Sequence, residues 1–104
     1  MTECPVITTL NVIGGKWKPA ILWELQQKDV CRFGALKRSV EGITQKMLTQ
    51  QLRELEADGI IQRKVYAEVP PRVEYQITEY GKSLRPILDE MAKWGFKHID
   101  KNQI

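Results

Sequence analysis

Apolar residues recur along most of this chain at helical spacing, and change to strand spacing in one stretch. Val6, Leu10 and Ile13 follow Cys4-Pro5 at intervals of three and four, predicting a first helix that Gly14-Gly15 stops. Proline suits the first helical position, because its φ is pre-set and the amide it lacks would have no partner there. A second helix is predicted from about Lys16 to Gln27, with Pro19 near its first turn and Ile21, Leu22 and Leu25 facing inward. Lys28-Asp29 reads as a turn and Val30–Arg32 as a very short strand. Phe33–Ser39 reads as a third helix, with Phe33, Leu36 and Val40 on its buried side. Beyond the tight connection Glu41-Gly42-Ile43, Thr44 is placed to cap a fourth helix, its hydroxyl accepting an orphan amide of the first turn. That helix ends at Asp58-Gly59, where glycine can adopt a left-handed conformation.

The period then shortens. Ile61–Tyr66 and the alternating run Val73-Glu74-Tyr75-Gln76-Ile77 predict two strands joined around Val69-Pro70-Pro71, a tip that cannot lie inside a sheet. Thr78-Glu79 is expected to open a long last helix carrying Leu84, Ile87, Leu88, Met91 and Trp94, with Pro86 inside it as a bend or a lost hydrogen bond. The fold class expected is mainly α with a small β-hairpin wing: helices, a recognition-type helix, a hairpin and a closing helix, in winged helix-turn-helix order.

Composition narrows the function classes. A length of 104 residues with 42% hydrophobic content suits one domain, 1–104, around one core. No run of about 18 apolar residues is present to span a bilayer. The start lacks the basic, apolar and small-residue order of an export signal, so the cytoplasm is the expected location. Cys4 and Cys31 do not form a disulfide framework, and with His98 as the single histidine no zinc site is expected; neither metal nor cofactor is implied. No nucleophile, base and oxyanion pattern and no glycine-rich phosphate loop is found, so an enzyme is not expected. His98, near a polar end, reads as solvated. Net charge is +3, which decides little until the cations are placed.

The fourth helix places them. At about 100° per residue, Leu48, Leu52 and Leu55 form one apolar stripe, while Gln45, Lys46, Thr49, Gln50 and Arg53 gather on another side. No carboxylate falls among these five; Glu54, Glu56 and Asp58 are read as gathering toward the C-terminal end. Glutamine can pair bidentately with adenine and Lys or Arg with guanine, and threonine can meet a phosphate or a thymine methyl. The helix N-terminus, at Thr44, adds positive partial charge for phosphate. Such a face on an isolated helix is ordinarily just solvated; the short helix before it and the hairpin after it favour double-stranded DNA as the partner. Arg72, behind the stiff Pro70-Pro71, is the wing residue expected to enter a minor groove or clamp phosphate. Arg63 and Lys64 point to opposite sides of their strand, so only one is expected to face DNA. Lys16, Lys18, Arg32, Lys37 and Arg38 are the expected phosphate contacts.

On these residues the chain resembles the HxlR-type family of bacterial winged-helix regulators, related in fold to the MarR type. The resemblance runs from Cys4 to Trp94. It is carried by Cys4-Pro5-Val6, Ile13-Gly14-Gly15-Lys16-Trp17, Arg32-Phe33, the whole stretch from Gln45 to Gly59, Pro70-Pro71-Arg72-Val73-Glu74-Tyr75 and Thr78-Glu79-Tyr80-Gly81. It implies a homodimer on a palindromic operator, a recognition role for Gln45, Lys46, Thr49, Gln50 and Arg53, and a wing role for Arg72. In members that sense oxidants or electrophiles the N-terminal cysteine is the reactive one, which maps onto Cys4; no family cysteine is expected at Cys31, which reads as a small buried residue. The resemblance also places the first and last helices at the dimer interface, with Leu84, Ile87, Leu88, Met91 and Trp94 as its stripe. A two-fold dimer would set the recognition helices about 34–36 Å apart, one turn of DNA.

Cys4 stands beside the positive end of a helix dipole, an environment that favours thiolate chemistry. A switch is therefore expected in which an oxidant or small-molecule effector acts at Cys4 and alters operator affinity. The competing expectation is a winged-helix module that binds another protein and no DNA.

Overall fold

A computed structural model describes residues 3–102. In chain order the elements are α1 (Pro5–Ile13), α2 (Trp17–Lys28), β1 (Val30–Arg32), α3 (Phe33–Ser39), α4 (Gln45–Ala57), β2 (Ile61–Tyr66), β3 (Arg72–Ile77), a 3-10 turn (Gly81–Leu84) and α5 (Arg85–Asn102). This is the winged helix-turn-helix arrangement, α3 and α4 forming the helical pair and β2 and β3 the wing. The hairpin keeps one register from Ile61↔Ile77 to Tyr66↔Arg72. β3 is the middle strand, because β1 pairs along its other edge through Val30↔Gln76, Cys31↔Tyr75 and Arg32↔Glu74. The three-residue strand thus finds its hydrogen bonds on a segment more than forty positions away, which ties the start of α3 to the wing.

The core gathers Ile21, Leu22 and Leu25 of α2, Leu36 of α3, and Leu48, Leu52 and Leu55 of α4, with Ile61 of β2. Each such side chain contributes about 1.5–3 kcal/mol relative to exposure. Three of them anchor α4 along one stripe, so its opposite face is held rigidly outward. Val40 is buried as expected, whereas Phe33 is only half-buried and packs against the core from its edge.

Both ends of α4 follow local chemistry. The Thr44 hydroxyl accepts from the Met47 amide at 3.1 Å, and Gly59 beyond the helix holds φ 75°, open to glycine without strain. Replacing Thr44 with alanine should cost about 1 kcal/mol. Urea unfolding of the Thr44→Ala protein reads that loss; an unchanged midpoint would show that the cap contributes nothing.

The last helix departs from expectation. It does not start at Thr78-Glu79: the 3-10 turn intervenes and Pro86 is the second residue of α5, in the first turn, where proline is tolerated because an amide there has no partner within the helix. Thr78 sets this up. Its Oγ1 accepts from the Gly81 amide at 2.9 Å and donates to the Gly59 carbonyl at 2.6 Å, joining the end of α4 to the turn before α5. A Cβ on Gly81 would collide with the Ile60 carbonyl oxygen, so only glycine allows this close approach.

Candidate nucleic-acid interface

The outward face of α4 is a shallow hollow lined by Gln45, Lys46, Thr49, Gln50, Arg53 and Glu54. Gln45, Lys46, Gln50 and Arg53 are exposed and Thr49 is half-buried, its hydroxyl donating to the Gln45 carbonyl at 2.9 Å. Thr49 therefore offers its methyl and oxygen lone pairs, while Thr44 is exposed but uses its hydroxyl in the cap. The five side chains grouped by helical spacing do stand together.

Glu54 is the residue that sequence reasoning missed. Its charge groups it with the acids of the C-terminal end, yet it stands four positions after Gln50, the spacing that places two side chains on one helix face. Its partner corrects a second expectation. Lys18 is not a free cation for phosphate: it is 7% exposed, and its Nζ lies 2.7 Å from Glu54 Oε1. The Lys18 ammonium, hydrogen-bonded to the carboxyl and beside it, holds Glu54 below the usual carboxylate range. The pair joins α2 to the outward face of α4.

Arg72 is also placed differently from expectation. Its guanidinium does not extend from the wing tip but lies over the Tyr66 ring, 4.0 Å from the centroid, with Nε 3.6 Å from Glu74 Oε2 and 3.8 Å from Glu68 Oε1. Stacking and two carboxylates hold it back along the hairpin. Arg63 sits near Glu56 and Lys64 over Tyr66, both exposed. Of the expected phosphate contacts, Lys16, Arg32, Lys37 and Arg38 are exposed; Arg32 borders a hollow shared with the wing tip.

A second surface is apolar. From α1 it presents Val6, Ile7 and Leu10, and from α5 Ile87, Met91, Trp94, Phe96 and Ile99; Trp94, the most open of the α5 residues, is 67% exposed and stacks on His98. Two residues expected on this stripe belong elsewhere. Leu88 is 4% exposed and lies in the chain's own core, and Leu84 packs half-buried against it, because that side of α5 faces the interior. Ile7, Phe96 and Ile99 lie outside the stripe expected from the sequence, although Phe96 follows Leu88 by two steps of four and Ile99 follows Phe96 by three. Cys4 is exposed at the start of α1, without a side-chain cap bond, next to this surface. Cys31, in β1, is buried in the core, and burial pushes its thiol up from the usual range. Among the described residues no helix is long and apolar enough to cross a membrane, and no cluster of three or more His, Cys, Asp or Glu is placed to hold a metal ion.

Residues 12–103 match the family of HxlR-like helix-turn-helix proteins. The chain belongs to the HxlR-like family. It is similar to MalR, named as a regulatory protein, of Fusobacterium mortiferum, at 55% identity over 93 residues covering 89% of this chain and 88% of that one. It is similar to the HTH-type transcriptional regulator YtcD of Bacillus subtilis (strain 168), at 58% identity over 96 residues, 92% of this chain and 75% of that one. Among solved structures, the redox regulator HypR in its oxidized form superposes with a TM-score of 0.85 at 52% identity, covering 90% of this chain and 96% of that one. This HxlR-like protein is therefore a winged helix-turn-helix transcription regulator, and the exposed face of α4 is the surface in its fold where amide and cationic side chains converge.

Proposed function

We propose that this HxlR-like protein represses transcription in the cytoplasm by binding a palindromic operator as a homodimer, and that chemical modification of Cys4 changes its grip on that operator. It acts by binding and not by catalysis. One observation carries the reading: the face from Gln45 to Arg53 stands clear of the chain while the opposite face of α4 is locked in the core. Backbone contacts by Lys16, Arg32, Lys37 and Arg38 would set register, and base contacts by Gln45, Lys46, Thr49, Gln50 and Arg53 would set sequence. Arg72 would support the wing near phosphate rather than penetrate a groove, given its stacked position.

The apolar surface of α1 and α5 supports the homodimer. Large hydrophobics exposed on α1 and α5, which meet in a hollow lined by Val6, Leu10, Ile87 and Met91, mark an interaction site, and self-association through a two-fold axis covers both copies at once. Cys4 precedes Val6 and Ile7 on that surface, so an adduct or disulfide there would disturb helix packing and hence the spacing of the two α4 helices. HypR, solved in oxidized and reduced forms, is a redox regulator and supports this assignment.

Selection of duplexes from random DNA, with and without diamide, tests the reading. Wild type should enrich two inverted half-sites about one turn apart and lose them under diamide, whereas Cys4→Ser protein should keep them. Equal loss in both proteins removes the Cys4 switch, and absence of any enriched sequence removes operator recognition.

A further inference from the structure

A carboxylate on a DNA-facing surface needs a reason, because phosphates line both edges of the groove that the helix would enter. Glu54 is the only anionic side chain lining the α4 hollow. It is not excess charge turned toward solvent. Lys18 rises from α2 with its own side chain 9% exposed, too enclosed to touch DNA itself, and occupies Glu54 Oε1 at 2.7 Å. The Glu54 side chain remains 44% exposed and lines the hollow beside Gln50, so its carboxylate is open to a group that enters there. Lys18 offsets the charge that would repel phosphate and fixes the rotamer; what remains is an oriented acceptor among side chains that otherwise offer donors or both functions.

We infer that Glu54 is a specificity-determining residue that accepts a hydrogen bond from an exocyclic base amine in the major groove, and that Lys18 is the positioning residue that makes this acceptor tolerable and fixed. The inference rests on the operator reading above. Cytosine N4 and adenine N6 are the major-groove donors; guanine N7 and O6 and thymine O4 are acceptors and would face a carboxylate unfavourably. Glu54 would therefore select an amine at one base pair of each half-site, and reject the bases whose acceptors occupy that place. Neither residue needs to contact phosphate.

The test is selection from random duplexes by wild type and by Glu54→Gln (E54Q) at one salt concentration, followed by titration of the enriched site and its single-base variants. Wild type should discriminate roughly tenfold at the pair concerned, a cytosine or an adenine in the enriched motif showing which amine is read. E54Q should lose that discrimination while the rest of the motif and the salt dependence persist. Lys18→Met should relax the same pair, and should change nothing further in the E54Q background, a coupling that general loss of stability would not produce. If E54Q does not fold, the Lys18→Met, Glu54→Met double variant takes its place, since paired replacement leaves no buried charge alone. The same motif with the same discrimination in the variant overturns the inference and leaves operator binding standing. No motif with wild type would overturn operator recognition, and this inference with it.

Discussion

Operator binding should weaken about a thousandfold or more when salt is raised from roughly 50 to 200 mM. Lys16, Arg32, Lys37 and Arg38 are exposed, and two chains on one duplex, as proposed, would reach the range of about 6–10 phosphate contacts for which that loss is expected. The cause is counterion release: each neutralised phosphate frees a condensed cation, and the entropy gained shrinks as bulk salt rises. Lys18 adds nothing to this sum because Glu54 already occupies it. Lys37→Ala removes one contact per subunit and should flatten the logarithmic slope by roughly two, with the preferred sequence unchanged. Fluorescence anisotropy across a salt series measures both quantities. A flat salt dependence would instead favour a winged helix that meets another protein.

Placing glutamate at Met91 and Trp94 together should convert the proposed dimer to monomer and lower operator affinity by at least about a hundredfold. Both side chains are open on the isolated chain, so the charges cost the monomer fold little, while in a face-to-face contact of α1 and α5 they would be buried without partners. The affinity falls because the second half-site is otherwise bound at the high effective concentration set by the first, a gain of about 10²–10⁴. Leu88 distinguishes the cases. It lies on the same helix but in the chain's own core, so Leu88→Ala should instead destabilise folding by about 2–5 kcal/mol. Sedimentation and circular dichroism separate these outcomes: a double-glutamate protein that stays dimeric and binds as before would rule out this surface as the subunit contact.

Much of the fold could be read from residues close together in the chain. The cap at Thr44, the stop at Gly59, the leucine stripe of α4 and the alternation of β3 depend on neighbours within about one turn or one pleat, and each appears where local spacing placed it. The members of the recognition face were legible for the same reason, since a helix brings residues three and four apart onto one side. Glu54 obeys that rule too, although its charge groups it with the acids at the helix end.

The features decided elsewhere involve distant partners. Whether Lys18 is a surface cation or a buried one depends on α4 lying across it, 36 positions later. Arg72 is retracted because Tyr66 stands opposite it in the hairpin register and Glu74 is placed within reach of the same guanidinium. The last helix starts late because Thr78 bonds back to Gly59, and α5 buries Leu88 but leaves Met91 and Trp94 open because only one of its sides meets the core. Sequence alone determined the order of helices and strands and the five amide, hydroxyl and cationic members of the α4 face, since these follow from backbone preference and periodicity. Tertiary structure alone decided which charges are free, which are neutralised and which apolar residues remain uncovered, because solvent access and ion pairing depend on what packs across a side chain rather than on what stands beside it in the chain.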